Sequence, residues 1–274
     1  VFRLLVPATK HLAFAFAALL AFAGSQASAA DPATSPLLIG GMPVDPTCLI
    51  SLANGDSSRL DPIDLHRCHR TDLVVTRGPS DPRMIGFEYH FRTDQAQPRS
   101  PYFFYRYLGD WHHHALLFIE SGGGGTGAFT QLVGVDRTAN MLRAVETVAG
   151  GDRCNGGIFH AFVVGGRLSY EERITPFDLV SLAGTASKLV AYKDLEASAS
   201  SCVADVHHTD SQWVAVTLAN PALEDQKGWT GQYRYQPCFN RIYRGFVSRG
   251  ETELDRRGVA RFAAAFENSC MRSR

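Results

Sequence analysis

A chain of 274 residues carrying 27 basic and 27 acidic side chains has no formal net charge, and 45% of it is hydrophobic. That balance creates no long-range field for nucleic acid or an anionic membrane, and the length is ample for a hydrophobic core. Neither of those partners is expected.

Residues 1–30 read as a signal peptide. Arg3 and Lys10 supply a positive start, Leu12 to Ala23 an apolar run, and Ala27-Ser28-Ala29 or Ser28-Ala29-Ala30 small residues for cleavage. Gly24, Ser25 and Gln26 interrupt the run before the roughly 20 apolar residues that a membrane helix needs. With Val1 taken as a bacterial-type alternative start, the expected destination is a periplasm or the medium, with no membrane span after cleavage. Removing 30 of 274 residues leaves 244, in which 25 basic and 27 acidic side chains give a balance of −2.

The stretch 31–62 is rich in Pro, Gly, Ser and Asp and reads as an irregular lead-in. A single β-rich, disulfide-stabilised domain is expected over 63–274. Its strand candidates are Leu73 to Thr76, Ile85 to Phe91, Tyr102 to Leu108, His113 to Glu120, Ala128 to Val135 and Leu142 to Val148, separated by turn residues. Ile158 to Val164 and Arg167 to Ile174 flank Gly165-Gly166, the pair that a two-residue hairpin turn favours. Thr175 as N-cap, Pro176 at the first helical position and Gly184 past the end predict a short helix near 176–183.

Further strands are expected at Val203 to His207 and Trp213 to Leu218, continued by Tyr233, Tyr235 and Ile242 to Val247. On that reading Arg234, Arg241, Arg244 and Arg249 line a solvated strand face. Leu254, Val259, Phe262 and Phe266 recur near helical spacing after Thr252-x-x-Asp255, which predicts a C-terminal amphipathic helix. The fold class is therefore α+β, a mainly antiparallel sheet or partly closed barrel with those two helices.

Cys48, Cys68, Cys154, Cys202, Cys238 and Cys270 fit three disulfides in an oxidising compartment. Closing the shortest loops pairs neighbours: Cys48 with Cys68, Cys154 with Cys202, Cys238 with Cys270. No C-x-x-C pair points to a metal instead.

Chemistry is harder to read. On a strand, a period of two would set His112 and His114 on one face, where they could share zinc or copper. His112-x-His114, with Glu120 and Gly127 following, resembles the first motif of cupins, but the leading glycine is displaced and no second cupin motif is visible, so that family's metal is not carried over. Six residues of straight strand would place Glu120 about 20 Å from His114, too far for one coordination shell. Remaining ligands would have to come from His207 and His208, with Asp205 and Asp210, or from His66, Cys68 and His69.

Asn54-Gly55-Asp56-Ser57 and Asp205-Val206-His207-His208 resemble the serine and base motifs of SGNH hydrolases, whose Gly-x-Asn-Asp block is missing here. Ser121 to Gly127 lacks the Gly-Lys-Ser/Thr ending of a phosphate loop and leads into a strand. G-x-S-x-G and H-E-x-x-H do not occur. The expectation is thus an exported β-rich protein that binds an envelope component or a small ligand, without a recognisable catalytic motif. The alternative is a metal-binding protein or metal-dependent enzyme using His112 and His114.

Overall fold

The computed structural model describes residues 37–39, 42–53, 60–68, 76–78, 81–89, 100–218 and 233–272. Residues 1–30, expected to be a signal peptide, the Asn54 to Ser57 motif, His69 and most of the first strand candidate lie outside the described residues. The architecture is α+β, built on antiparallel sheets, one of them curled into a half-barrel.

The lead-in forms a small hairpin of β1 (Leu38–Ile39) and β2 (Met42–Pro43), then a 3-10 helix, Pro46–Ala53. A seven-stranded sheet follows: β3 (Ile63–Asp64), β4 (Thr76–Arg77), β5 (Ile85–Glu88), β6 (Tyr102–Trp111), β7 (His114–Gly122), β8 (Phe129–Thr138) and β9 (Met141–Asp152). Its order is β3-β9-β8-β7-β6-β5-β4, a meander closed at one edge by β3. The second sheet has five strands in chain order: β10 (Gly157–Val164), β11 (Arg167–Ile174), β12 (Ala204–Thr209), β13 (Gln212–Leu218) and β14 (Glu253–Leu254).

The apolar run Ala-Leu-Leu-Phe-Ile of β7 is explained by cover on both faces of the sheet. Leu117 and Ile119 pack against Leu49 and Leu52 of the 3-10 helix, and Tyr105 donates to the Val44 carbonyl at 2.7 Å. Leu116 and Phe118 face the other way, toward Ile158, Ala161, Leu168 and Tyr170 of the second sheet. Two hydrogen bonds link the sheets at β10: Arg106 Nη2 donates to the Ala161 carbonyl at 3.0 Å, and the Ile158 amide donates to Thr130 Oγ1 at 2.6 Å. Gly86 lets β5 approach β6, because a Cβ there would stand 2.0 Å from the Phe103 carbonyl oxygen.

Gly165 and Gly166 form the β10–β11 turn with φ of 59° and 74°. Helix α1 (Pro176–Ser181) starts at Thr175, whose hydroxyl and the Asp178 carboxylate form a reciprocal cap. The stretch after Tyr235 departs from the strand expected there. It is helix α2 (Gln236–Ser248), whose buried Phe239, Tyr243 and Phe246 follow helical spacing. Arg241 and Arg244 therefore sit on a helix. No side chain caps its N-terminus at Tyr235, which removes the usual start signal.

The terminal helix α3 (Arg256–Phe266) begins one turn later than a Thr252 cap would place it. Asp255 is the cap, accepting from the Gly258 amide at 2.7 Å. Helices α1, α2 and α3 cover one end of the five-stranded sheet, where Val206 and Val216 meet Leu179, Phe239, Tyr243 and Phe262.

The disulfides are Cys48–Cys68, Cys154–Cys202 and Cys238–Cys270, the neighbour pattern. They fasten the lead-in beside β3, the β9–β10 turn to the segment before β12, and α2 to the end of the chain. Such bridges belong to an oxidising compartment. Among the described residues, no helix is long and apolar enough to cross a membrane.

Candidate functional site

The histidines of the Trp111 to His114 motif do not share a strand face. Trp111 pairs with His114 across the β6–β7 hairpin, and His112 and His113 are its two turn residues, at φ of 49° and 71°. Two-residue turns require this left-handed backbone, so the strand alternation expected for His112 and His114 fails. His112 stacks on Trp111, while His114 Nδ1 lies 2.6 Å from Asp136 Oδ1.

His207 and His208 stand next to each other on β12 but engage different partners. His207 Nδ1 lies 3.2 Å from Glu171 and its Nε2 2.6 Å from Thr217 Oγ1. His208 stacks on Tyr170 with ring centroids 4.3 Å apart, and its Nε2 lies 3.0 Å from Glu172. Burial pushes the Tyr170 phenol up to about 12. Asp210 links the two histidine-containing segments, accepting from Trp111 Nε1 at 3.2 Å and from the Leu168 amide at 3.1 Å. The Trp111 bond helps to hold the Asp210 carboxyl below its usual range. Among the described residues, no three His, Cys, Asp or Glu side chains are grouped as a metal site. His66 pairs with Asn140, and Cys68 is in a disulfide.

A polar ladder instead crosses the open face of the five-stranded sheet. His160 Nδ1 is 2.8 Å from Glu171 Oε2, His207 bridges Glu171 to Thr217, and Thr217 donates to Glu253 at 3.1 Å. Glu171, His207 and Thr217 follow the carboxylate–imidazole–hydroxyl order of activated nucleophiles. However, the Thr217 proton is directed to Glu253, and the surrounding backbone is engaged in strand pairing, leaving no cradle for an oxyanion. Asp205, on the same face, has its carboxyl pushed up by burial, opposed by Arg173 at 4.0 Å.

The concave site lies where β10 meets the seven-stranded sheet, a cleft of about 990 Å³. On the seven-stranded side it is walled by Asp81, Arg83, Arg106, Phe118 and Glu120, and across from them by Phe159, His160, Glu171 and Arg173. Asp81 is held from two directions. Arg83 grips it through Nε and Nη2, both at 2.9 Å, and Arg106 Nη1 adds a third contact at 2.9 Å. The Arg83 hydrogen bond, foremost among these, holds the Asp81 carboxyl below its usual range.

Glu120 is placed differently. It ends the apolar run of β7, opposite Phe104 and Thr130, and is half-buried, yet its carboxylate has no hydrogen-bond partner among the described residues. Burial pushes its carboxyl above the usual range, and the negative charge of Asp81 adds to the rise. Arg106 is 12% exposed, and its Nε is buried without a partner among the described residues.

Sequence reasoning reached Glu120 only through the cupin-like spacing and did not single out Asp81, Arg106 or Arg173. Arg106 and Glu120 do leave a local mark: Arg106 interrupts the aromatic run Tyr102 to Tyr107, and Glu120 ends the apolar run of β7. Comparisons with known protein families, characterised proteins and solved structures return no match.

Proposed function

We propose that this is an exported binding protein, delivered to a periplasm or the medium, that seats a small polar molecule in the cleft beside β10. The apolar leader at Leu12 to Ala23 and the three disulfides support export. Glu120 carries the binding reading: a half-buried carboxylate at a concave space, its charged form disfavoured by burial and with no protein donor among the described residues, is open to a donor from a ligand. A small molecule fits this concavity better than a protein surface would, and the apolar wall of Phe118 and Phe159 supplies contact area.

Thermal unfolding across a panel of polyols, amines, amino acids and short peptides tests this reading. A true ligand at 100 times its Kd stabilises the native state by about 2.7 kcal/mol. That gain is expected to shrink in Glu120→Gln. A panel with no stabilising member, or a gain indifferent to substitution of both Glu120 and Arg106, would overturn the assignment.

A further inference from the structure

The charges around the cleft can be paired off. Arg83 is committed to Asp81 through two nitrogens, and Arg106 to Asp81 and the Ala161 carbonyl. Arg153 holds Asp152 through Nε at 2.9 Å and Nη2 at 3.1 Å. His160 is engaged by Glu171. Two lining charges are left without a close hydrogen-bonded counter-charge among the described residues. One is Glu120; the other is Arg173, whose nearest carboxylate, Asp205, stands at 4.0 Å. Arg173 instead lies over the Phe159 ring, 4.3 Å from its centroid, a position that orients a guanidinium while leaving its N–H edges available.

From this remainder we infer that the cleft recognises a zwitterion, with a ligand ammonium donating to Glu120 and a ligand carboxylate accepting from Arg173. The inference rests on the cleft being the binding site and adds the ligand's chemical class. The two groups come from different sheets, Glu120 from β7 and Arg173 from β11, so a ligand touching both bridges the sheets. Free amino acids and short peptides carry this pair of end groups at separations that grow with chain length. The apolar lining of Met84, Phe118 and Ile158 suits an aliphatic side chain between the charged ends. An ammonium at Glu120 would also favour its ionised form, offsetting the burial that disfavours it.

Isothermal titration with L-leucine, glycyl-L-leucine and diglycyl-L-leucine tests the class and finds the matching length. For the best binder, N-acetylation and C-terminal amidation are each expected to weaken affinity about ten- to hundredfold, the range for a charge-assisted hydrogen bond. In Glu120→Gln the penalty for N-acetylation should largely disappear, and in Arg173→Gln the penalty for amidation. The modified ligands probe the native protein, so the test does not depend on either variant folding well. Equal binding of free and blocked peptides would overturn the zwitterion assignment. So would Glu120-dependent binding of neutral polyols alone, which would leave the cleft standing as a site. Silence from the peptides and from the whole polar panel would overturn both.

Discussion

Strands β11 and β12 present two unlike surfaces from alternating residues of the same backbone. Inward, Ile174, Ala204 and Val206 lie beneath three helices, with Phe239, Tyr243 and Phe262 fully buried above them. Outward, Glu171, Arg173, Asp205 and His207 form pairs that remain partly wet. Apolar burial is cumulative and is not screened by salt, whereas exposed ion pairs add little beyond what water already gives them. The helix-covered face should therefore carry the stability and the open face very little.

The harshest way to break that contrast is Phe262→Ala beneath the helices, expected to cost about 3–5 kcal/mol in urea unfolding. A loss below about 1 kcal/mol would mean that the helical cover is dispensable.

Next in size is Glu120, a carboxylate placed under cover rather than on the open face. Its folded-state affinity for a proton is raised above the ordinary value of 4.5, so the native state binds more protons than the unfolded chain at pH values just above that point. Its contribution makes the native state less stable as pH rises through this window. It does so among Asp81, Arg83, Arg106, Arg153 and His160, which line the same cleft. Glu120→Gln should therefore gain stability relative to the parent as pH rises from about 4.5 toward neutrality. A difference that does not change with pH would place the carboxylate in water.

The smallest effect is expected on the open face. Glu171→Gln keeps one acceptor oxygen and turns the other into an amide donor beside His160 and His207, and should change unfolding free energy by no more than about 1 kcal/mol. A loss rivalling that of Phe262→Ala would show that the polar ladder anchors the sheet.

Local signals were the legible ones. The Gly165-Gly166 turn and the Thr175–Pro176 helix start are written in adjacent residues, and both occur where the sequence indicates them. Helix α2 was obscured because it opens without a polar cap and its aromatic residues also suit strands. The His112-His113 turn was hidden because left-handed backbone is usually signalled by Gly or Asn. The cleft joins residues from Asp81 to Arg173 across two sheets, so nothing in its spacing announces it. Only Arg106 within an aromatic run and Glu120 at the end of an apolar one hinted that one face of those strands serves something other than packing.

Arg106 donates to the Ala161 carbonyl and the Ile158 amide donates to Thr130, and both bonds fall on β10. Among the described residues, strand β10 has no neighbour in its own sheet other than β11, and an unprotected border of that kind can template the addition of a foreign strand. By engaging one acceptor and one donor of β10 from the side, the seven-stranded sheet leaves fewer backbone groups along that border for another chain to pair with.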